Sequence, residues 1–224
     1  MSLNRNQIRT MLTMQSSMNA KINAAWVSAK YPFLRAVGRE AAEAIDFTGW
    51  KWWSHTQPNV PQLGLELVDI WHFAISEELM RSDGNVGETV EVLAQKLVAI
   101  NRNVTIEFDK RYYHLVAMPT IAKLELMMGM SVSRRFSIEL FDSLLSDCAM
   151  DWAALYRGYV AKNTLNFFRQ DNGYNIDAYS KIWAGREDNE HLLEIADLLD
   201  PEDPGFSQKL YDGLNVRYTA LCKQ

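Results

Sequence analysis

Two pairs of acidic residues share one spacing, and together they suggest a metal site. Glu40 and Glu43 are three residues apart, and so are Glu66 and Asp69. Residues at i and i+3 lie on one face of an α-helix, with Cβ atoms about 5–6 Å apart. Two such helices packed side by side would bring together four carboxylates, whose repulsion and lost hydration oppose folding. A divalent cation removes that conflict, and an all-oxygen ligand set suits Mg²⁺ or Mn²⁺ rather than zinc.

The second acidic pair lies in an unusually apolar segment. Residues 64–74 read GLELVDIWHFA, which leaves almost no polar helix face for Glu66 and Asp69 to share. Acids in such a run need a partner. The first pair taken alone fits a solvated helix face, but the two pairs together favour a metal site. Asp46 follows Glu43 by three residues and extends the first face as a candidate additional ligand or as a residue next to a ligand.

His72 raises the alternative of a di-iron site, because it follows Asp69 by three residues. Di-iron bundles use Glu-x-x-His on two helices and a single Glu on each of two others. The sequence contains no Glu-x-x-His, and Glu40-x-x-Glu43 has no histidine. We therefore interpret His72 as a packed histidine or as a residue next to a ligand.

Several polar and aromatic residues have the chemistry to hold a nucleotide. Gln15 and Asn19 interrupt the apolar stripe of the first helix. Their amide groups could form hydrogen bonds with the edge of a nucleotide base, or they could be buried with all their hydrogen bonds made within the protein. Trp52 and Trp53 lie in a proline-containing segment and suit either the core or base stacking. A cationic and amide-rich stretch could hold phosphates or form an exposed helix face, and it comprises Lys162, Asn163, Asn166, Arg169, Lys181 and Asn189. Because no Walker motif is present, phosphate binding would depend on a metal and discrete side chains.

The composition is that of an ordinary globular protein. Of the 224 residues, 48% are apolar and 23% are charged, and the net charge of −5 argues against a nonspecific nucleic-acid binder. The sequence shows neither a signal peptide nor an apolar run long enough to span a membrane, so we expect a cytoplasmic protein that does not bind membranes. The two cysteines, Cys148 and Cys222, are expected to remain reduced.

The hydrophobic periodicity predicts an all-α bundle. We expect a single domain over residues 1–224, with a four-helix metal-binding core, a smaller helical cap and extra C-terminal helices. Residues 104–116 are predicted to be mostly helical, and residues 173–189 are predicted to form a polar loop of a length that often signals function. The predicted helices cover about residues 4–28, 32–47, 62–80, 86–101, 119–128, 136–150, 151–169, 190–199 and 206–222.

Five segments of the chain resemble the dimeric, all-α dUTPases. These belong to the all-α NTP pyrophosphatase group, which carries ExxE…ExxD metal motifs. The resemblance covers about residues 10–195, and VDIWHF and LNFFRQ-x-NGY with EDN are its most specific parts. The segments are REAAEAID, WKWW, LELVDIWHF, KNTLNFFRQDNGY and WAGREDNE.

The resemblance implies a homodimeric enzyme that hydrolyses dUTP to dUMP and pyrophosphate with Mg²⁺, or with Mn²⁺ as a substitute. It implies Glu40, Glu43, Glu66 and Asp69 as metal ligands, with Glu40 or Glu43 also activating water. It implies that Gln15, Asn19 and Trp53 hold the base. The residues implied for the sugar and phosphates are Lys162, Asn166, Arg169, Tyr174, Lys181 and Asn189.

Two alternatives stay open at this level. A related pyrophosphatase would keep the metal site and act on dCTP or another nucleoside triphosphate. A helical interaction protein would keep the acids only as structural residues. The chain also departs from the family pattern in three places, which bear on its contacts with the phosphate tail: Ser54 replaces a lysine, Asn175 and Asp177 alter the loop after Tyr174, and Ala184 stands where Asn is usual.

Overall fold

Helices dominate the fold, as the sequence predicts. We describe a computed structural model, which covers residues 3–101, 105–200, 203 and 205–222. These residues form ten α-helices and two short antiparallel strand pairs, which confirms the all-α class. The helices are α1 Arg5–Ile22, α2 Trp26–Ala29, α3 Phe33–Asp46, α4 Val60–Arg81, α5 Val86–Val98, α6 Thr120–Val132, α7 Ile138–Asp147, α8 Trp152–Asp171, α9 Asp188–Ala196 and α10 Phe206–Cys222.

Side-chain caps fix where the site-bearing helices begin. Asn4 forms a capping box with Gln7 at the start of α1. Asn59 accepts a hydrogen bond from the backbone N–H of Gln62, and a proline lies in the first turn of α4. Asp151 caps α8 through the backbone N–H of Ala154. These caps satisfy N–H groups that a helix cannot pair internally.

Helix α4 is the central element of the bundle. It packs against α1, α3 and α8, and α3 packs in turn against α6. Leu67, Ile70 and Trp71 of α4 are almost completely buried. Helices α9 and α10 pack on α8 and form a smaller layer beside the bundle. Within the described residues, no helix is long and apolar enough to cross a membrane.

The prediction of helix over residues 104–116 was wrong. Strands β1 Thr105–Phe108 and β2 Arg111–His114 form an antiparallel hairpin, while Val104 lies outside the described residues. Asp109 and Lys110 connect the strands with φ angles of 52° and 60°. Two consecutive residues with positive φ make the kind of tight turn that matches the twist of a hairpin.

The region predicted as a polar loop is more ordered than expected. It contains a 3₁₀ turn, Tyr174–Ile176, and a hairpin of β3 Ile182–Trp183 with β4 Arg186–Glu187. Trp183 is fully buried and Tyr179 is 8% exposed, so aromatic side chains anchor the segment to the α8–α10 layer. Helix α9 begins at Asp188, slightly earlier than predicted.

Candidate functional site

One cavity of about 650 Å³ brings together the predicted site residues, with a single exception. Its walls come from α1, α3, α4, α8, the segment between α8 and α9, and the first turn of α9. Trp53 is not among the lining residues. The predicted residues that line the cavity are Gln15, Asn19, Glu40, Glu43, Glu66, Asp69, Lys162, Asn166, Arg169, Tyr174, Lys181 and Asn189.

Three of the four predicted metal ligands form a compact cluster. Glu40 and Glu43 project from α3 and Glu66 from α4, and each offers a carboxylate oxygen within 4.8 Å of the others. The cluster exists because α3 packs directly on α4, so that the acidic face of each helix meets the other. An all-oxygen donor set of this size fits a hard divalent cation such as Mg²⁺.

The acids are held in a setting that disfavours their negative charge. Burial, followed by the charges of Asp69 and Glu43, raises the pKa of Glu40 to about 7. Burial and the nearby Asp69 carboxylate raise the pKa of Glu66 to about 8. Both effects penalise the ionised forms. A bound cation would reverse this penalty, and in this respect too the residues fit a metal.

Two basic side chains provide part of the counter-charge within the protein. Arg39 donates a hydrogen bond to Glu40 at 3.1 Å through Nη1, and it also pairs with Glu43 through Nη2. Lys162 of α8 reaches across the cavity, and its Nζ lies 2.8 Å from Oδ2 of Asp69. Asp69 is therefore paired with a lysine and stands beside the three-glutamate cluster rather than within it.

The two predicted base-reading amides are hydrogen-bonded to each other. Gln15 Nε2 donates to Asn19 Oδ1 at 3.0 Å, and Asn19 Nδ2 donates to Ser76 Oγ at 3.2 Å. Gln15 is 5% exposed and Asn19 is 7% exposed, yet both line the cavity. The two amides therefore form a hydrogen-bonded buried pair, which is one of the two alternatives left open by the sequence. They also line the cavity, so the other alternative, that they read a base edge, stays open.

His72 is a packed, neutral histidine and is not a member of the acidic cluster. Its Nδ1 lies 2.8 Å from Gln15 Oε1, and its ring stacks on Tyr159 with the centroids 4.1 Å apart. Burial lowers the pKa of His72 to about 4, so the ring carries no charge near neutral pH. This environment supports the interpretation of His72 as a packed residue over that of a di-iron ligand.

The cationic wall of the cavity is supported by a buried carboxylate that sequence reasoning missed. Asp188 accepts hydrogen bonds from Arg169 Nε at 2.8 Å and from Nη2 at 2.7 Å, and it is 1% exposed. Tyr179 donates its hydroxyl to the same carboxylate at 2.8 Å. This ion pair fixes the Arg169 guanidinium at the cavity wall, next to the Lys162–Asn189 hydrogen bond of 3.2 Å.

Phe73 and Arg39 were also missed, although both line the cavity. Their positions carried a signal: Phe73 follows Asp69 by four residues and Arg39 precedes Glu43 by four, so each shares a helix face with a predicted ligand.

Trp53, which was predicted, is 58% exposed and packs edge-on against Trp50 and Trp52. Asp46 also lines the cavity, and its carboxylate lies 2.8 Å from Lys51 Nζ.

Comparison with known proteins gives this geometry a family. A family model described as dUTPase matches residues 7–174. The chain belongs to the dUTPase family. The matched range carries the four acids, the two amides and the cationic residues of α8, and it ends before Lys181 and Asn189.

Membership makes the protein a hydrolase of the dUTP pyrophosphatase type that acts on nucleotides. The all-α architecture and the acidic cluster agree with this assignment. The search of curated proteins found no match.

Proposed function

We propose that the protein hydrolyses dUTP to dUMP and pyrophosphate with Mg²⁺ bound by its acidic cluster. The observation that carries this proposal is the single cavity in which the acids face cationic and amide residues. A nucleoside triphosphate has three parts that need these groups: a polyphosphate, a metal that accompanies it, and a base with a polar edge. The family match supports the nucleotide pyrophosphatase reaction.

The acids have two roles in this mechanism. Glu40, Glu43 and Glu66 would hold the metal, with Asp69 joining them when Lys162 turns to the substrate. Bound Mg²⁺ would neutralise charge on the polyphosphate and make the attacking water more acidic. Glu40 or Glu43 would accept the proton of that water, since a carboxylate within reach acts as a general base.

The cationic wall orients the polyphosphate for in-line attack. Lys162, Arg169 and Lys181 would form charge-assisted hydrogen bonds to phosphate oxygens, with Arg169 held in place by Asp188. Lys181 Nζ lies 5.2 Å from the centroid of the Tyr174 ring, so these two residues already share one side of the cavity. Asn166 and Asn189 would add neutral hydrogen bonds.

The base would lie between polar and apolar parts of the wall. Gln15 and Asn19 present the amide groups, while Met18, Phe47 and Phe73 supply apolar lining. We keep Trp53 as a predicted base contact, which would require the exposed loop that carries it to move toward the cavity.

A related pyrophosphatase acting on dCTP or another nucleoside triphosphate is the second candidate. The acidic cluster and the cationic wall would contact the metal and the polyphosphate, which all nucleoside triphosphates share. This part of the cavity therefore would not discriminate between bases. Among the described residues that line the cavity, the Gln15–Asn19 edge has the hydrogen-bonding groups that would distinguish the two candidates.

We further propose a cytoplasmic homodimer that recognises neither nucleic-acid polymers nor membranes. The dimer is supported by the resemblance to the dimeric dUTPases. The proposed location in a reducing compartment is supported by Cys148 and Cys222, which form no disulfide in the structure. The single domain with a four-helix metal-binding core is supported by the packing of α4 against α1, α3 and α8.

The decisive experiment measures pyrophosphate release from dUTP, dCTP, dTTP and UTP, each with Mg²⁺ or with EDTA. We expect a strong preference for dUTP and loss of turnover in EDTA. Metal-dependent turnover that prefers another nucleotide would favour the second candidate. An absence of turnover with every nucleotide would contradict both.

A further inference from the structure

A buried polar network lies behind the Gln15–Asn19 pair and fixes one end of it. His72 Nδ1 lies 2.8 Å from Gln15 Oε1, and the Tyr159 hydroxyl donates to the same oxygen at 2.8 Å. Tyr159 is completely buried and His72 is 5% exposed. A carbonyl oxygen has two lone pairs, so these two partners occupy its full capacity. Gln15 can therefore meet a ligand only through its amide nitrogen.

The remaining bonds decide the polarity of the accessible edge. Each primary amide has two N–H donors and an oxygen with two lone pairs. Gln15 uses one N–H on Asn19 Oδ1, and Asn19 uses one N–H on Ser76 Oγ. At the junction of the two amides, Gln15 keeps one N–H donor and Asn19 keeps one oxygen lone pair. A ligand edge that fits this junction must offer an acceptor next to a donor.

Uracil and cytosine differ in this respect. Uracil offers the acceptor O4 next to the donor N3–H, whereas cytosine offers its 4-amino donor next to the bare N3 acceptor. To accept cytosine, the Gln15 amide would have to rotate by 180° and exchange its oxygen and nitrogen, and the Asn19 amide would have to rotate as well to present an N–H to N3. If Gln15 and Asn19 read the base, the groups that hold the Gln15 amide in this orientation would therefore favour uracil over cytosine.

The tautomer of His72 opposes such a rotation. Its Nε2 is buried and has no hydrogen-bond partner among the described residues, while Nδ1 has the Gln15 oxygen within reach. The ring proton therefore resides on Nδ1, because an N–H at Nε2 would be buried without an acceptor. A rotated Gln15 would place its N–H groups against the Nδ1–H donor and lose a hydrogen bond.

We propose that His72 and Tyr159 are positioning residues that determine nucleotide specificity by locking the Gln15 amide with its nitrogen toward the base. The inference rests on the proposed function, in which Gln15 and Asn19 read the base. Neither residue takes part in hydrolysis. Asn163 Nδ2 donates to the Tyr159 hydroxyl at 3.3 Å, and the hydroxyl proton goes to Gln15 Oε1 at 2.8 Å, the nearer of its two acceptors, the other being the Met11 carbonyl at 3.0 Å.

The test compares kcat/KM for dUTP and for dCTP in His72→Phe, Tyr159→Phe and the double variant. Each change removes one donor to Gln15 and keeps an aromatic ring in the stack. Tyr156→Phe is the matched control, because Tyr156 lies on the same helix and lines a different cavity. We expect the dUTP/dCTP ratio to fall about tenfold or more in the double variant and to stay unchanged in the control.

Gln15→Glu separates this inference from the proposed function. If Gln15→Glu changes the ratio but the double variant stays within about twofold of the wild type, the positioning role is wrong and the base-reading role stands. If Gln15→Glu also leaves the ratio unchanged, the base-reading role itself is wrong. If the double variant does not fold, the single variants decide by the same ratio, which a general loss of stability would not alter.

Discussion

At the scale of single residues, the main feature of the site is a group of carboxylates whose negative charges destabilise the metal-free protein. Glu40 and Glu66 hold their protons to higher pH than ordinary glutamates because they are partly buried among other acids. Arg39 and Lys162 compensate only part of that charge. If this cluster binds a cation as proposed, the folded chain should be less stable when the cation is removed.

Replacing Glu43 by glutamine should abolish most of the activity. The substitution removes one negative ligand and one candidate general base from the cluster, so we expect kcat to fall by about 10²–10³-fold with dUTP. Steady-state pyrophosphate release at saturating Mg²⁺ measures the effect. Glu107→Gln, on the exposed side of the β1–β2 hairpin, is the control and should be active. A Glu43→Gln enzyme with the wild-type rate would refute the assignment of the cluster.

Replacing Glu66 by glutamine should stabilise the metal-free protein at alkaline pH. The folded-state pKa of about 8 lies above the ordinary value of 4.5, so the folded wild type binds more protons than the unfolded chain between these values. The stability of the wild type therefore falls as pH rises from about 4.5 to 8, whereas the glutamine side chain of the variant does not titrate. In EDTA we expect the variant to match the wild type near pH ~4.5 and to exceed it by about 1–2 kcal/mol at pH ~8.5.

Urea unfolding at the two pH values measures this difference. Adding Mg²⁺ at the higher pH should raise the stability of the wild type more than that of the variant, because the metal binds only the folded site. A pH-independent difference between the two proteins would mean that Glu66 titrates normally.

At the scale of elements, the segment between α8 and α9 and the first turn of α9 together form a structured arm that carries Lys181 and Asn189. Its two anchors are the buried Trp183 and the Asp188–Arg169 ion pair. The hairpin turn between β3 and β4 places Ala184 at φ 49° and Gly185 at φ 83°. Alanine occupies this left-handed region less readily than asparagine.

Replacing Ala184 by asparagine should therefore stabilise the hairpin. We expect the free energy of unfolding to rise by about 0.5–1 kcal/mol, because asparagine tolerates positive φ. Thermal unfolding of the purified variant tests this, with Ala178→Asn on the same segment as the control. An unchanged or lower Tm for Ala184→Asn would contradict the assigned turn conformation.

Replacing Asp188 by asparagine should weaken substrate binding more than it slows chemistry. The change removes the negative charge that holds Arg169 in two hydrogen bonds, so the guanidinium loses its fixed position at the cavity wall. We expect KM for dUTP to rise by roughly tenfold, with a smaller change in kcat. Asp197→Asn, at the exposed C-terminal end of α9, is the matched control. An unchanged KM would show that Arg169 does not depend on this anchor.

At the scale of the whole molecule, the predicted homodimer can be tested directly. The chain has a mass of 25.7 kDa, so a dimer would weigh roughly twice as much. Light scattering coupled to size-exclusion chromatography should give the dimer mass at micromolar concentration, with and without Mg²⁺. A monomer mass throughout the concentration range would contradict the prediction.

The sequence by itself determined the all-α class, and it predicted most of the polar residues that line the cavity. Hydrophobic periodicity is a local property, and it was enough to predict the all-α class and most helices. The i, i+3 spacing of the acids likewise follows from the geometry of a single helix, so it predicted the two faces that meet in the cavity. The local signal was weakest outside the helices. There, the residues of the β1–β2 hairpin were incorrectly predicted to be helical.

The tertiary structure alone decided which of these groups contact each other. The pairs Lys162–Asp69, His72–Gln15 and Arg169–Asp188 join residues on different elements, and no spacing rule connects them. Asp188 was overlooked because it falls within residues 173–189, which were predicted as a polar loop, where an acid is usually exposed to solvent. Local periodicity fixes which face a side chain occupies, but long-range packing determines its partner, its burial and hence its charge.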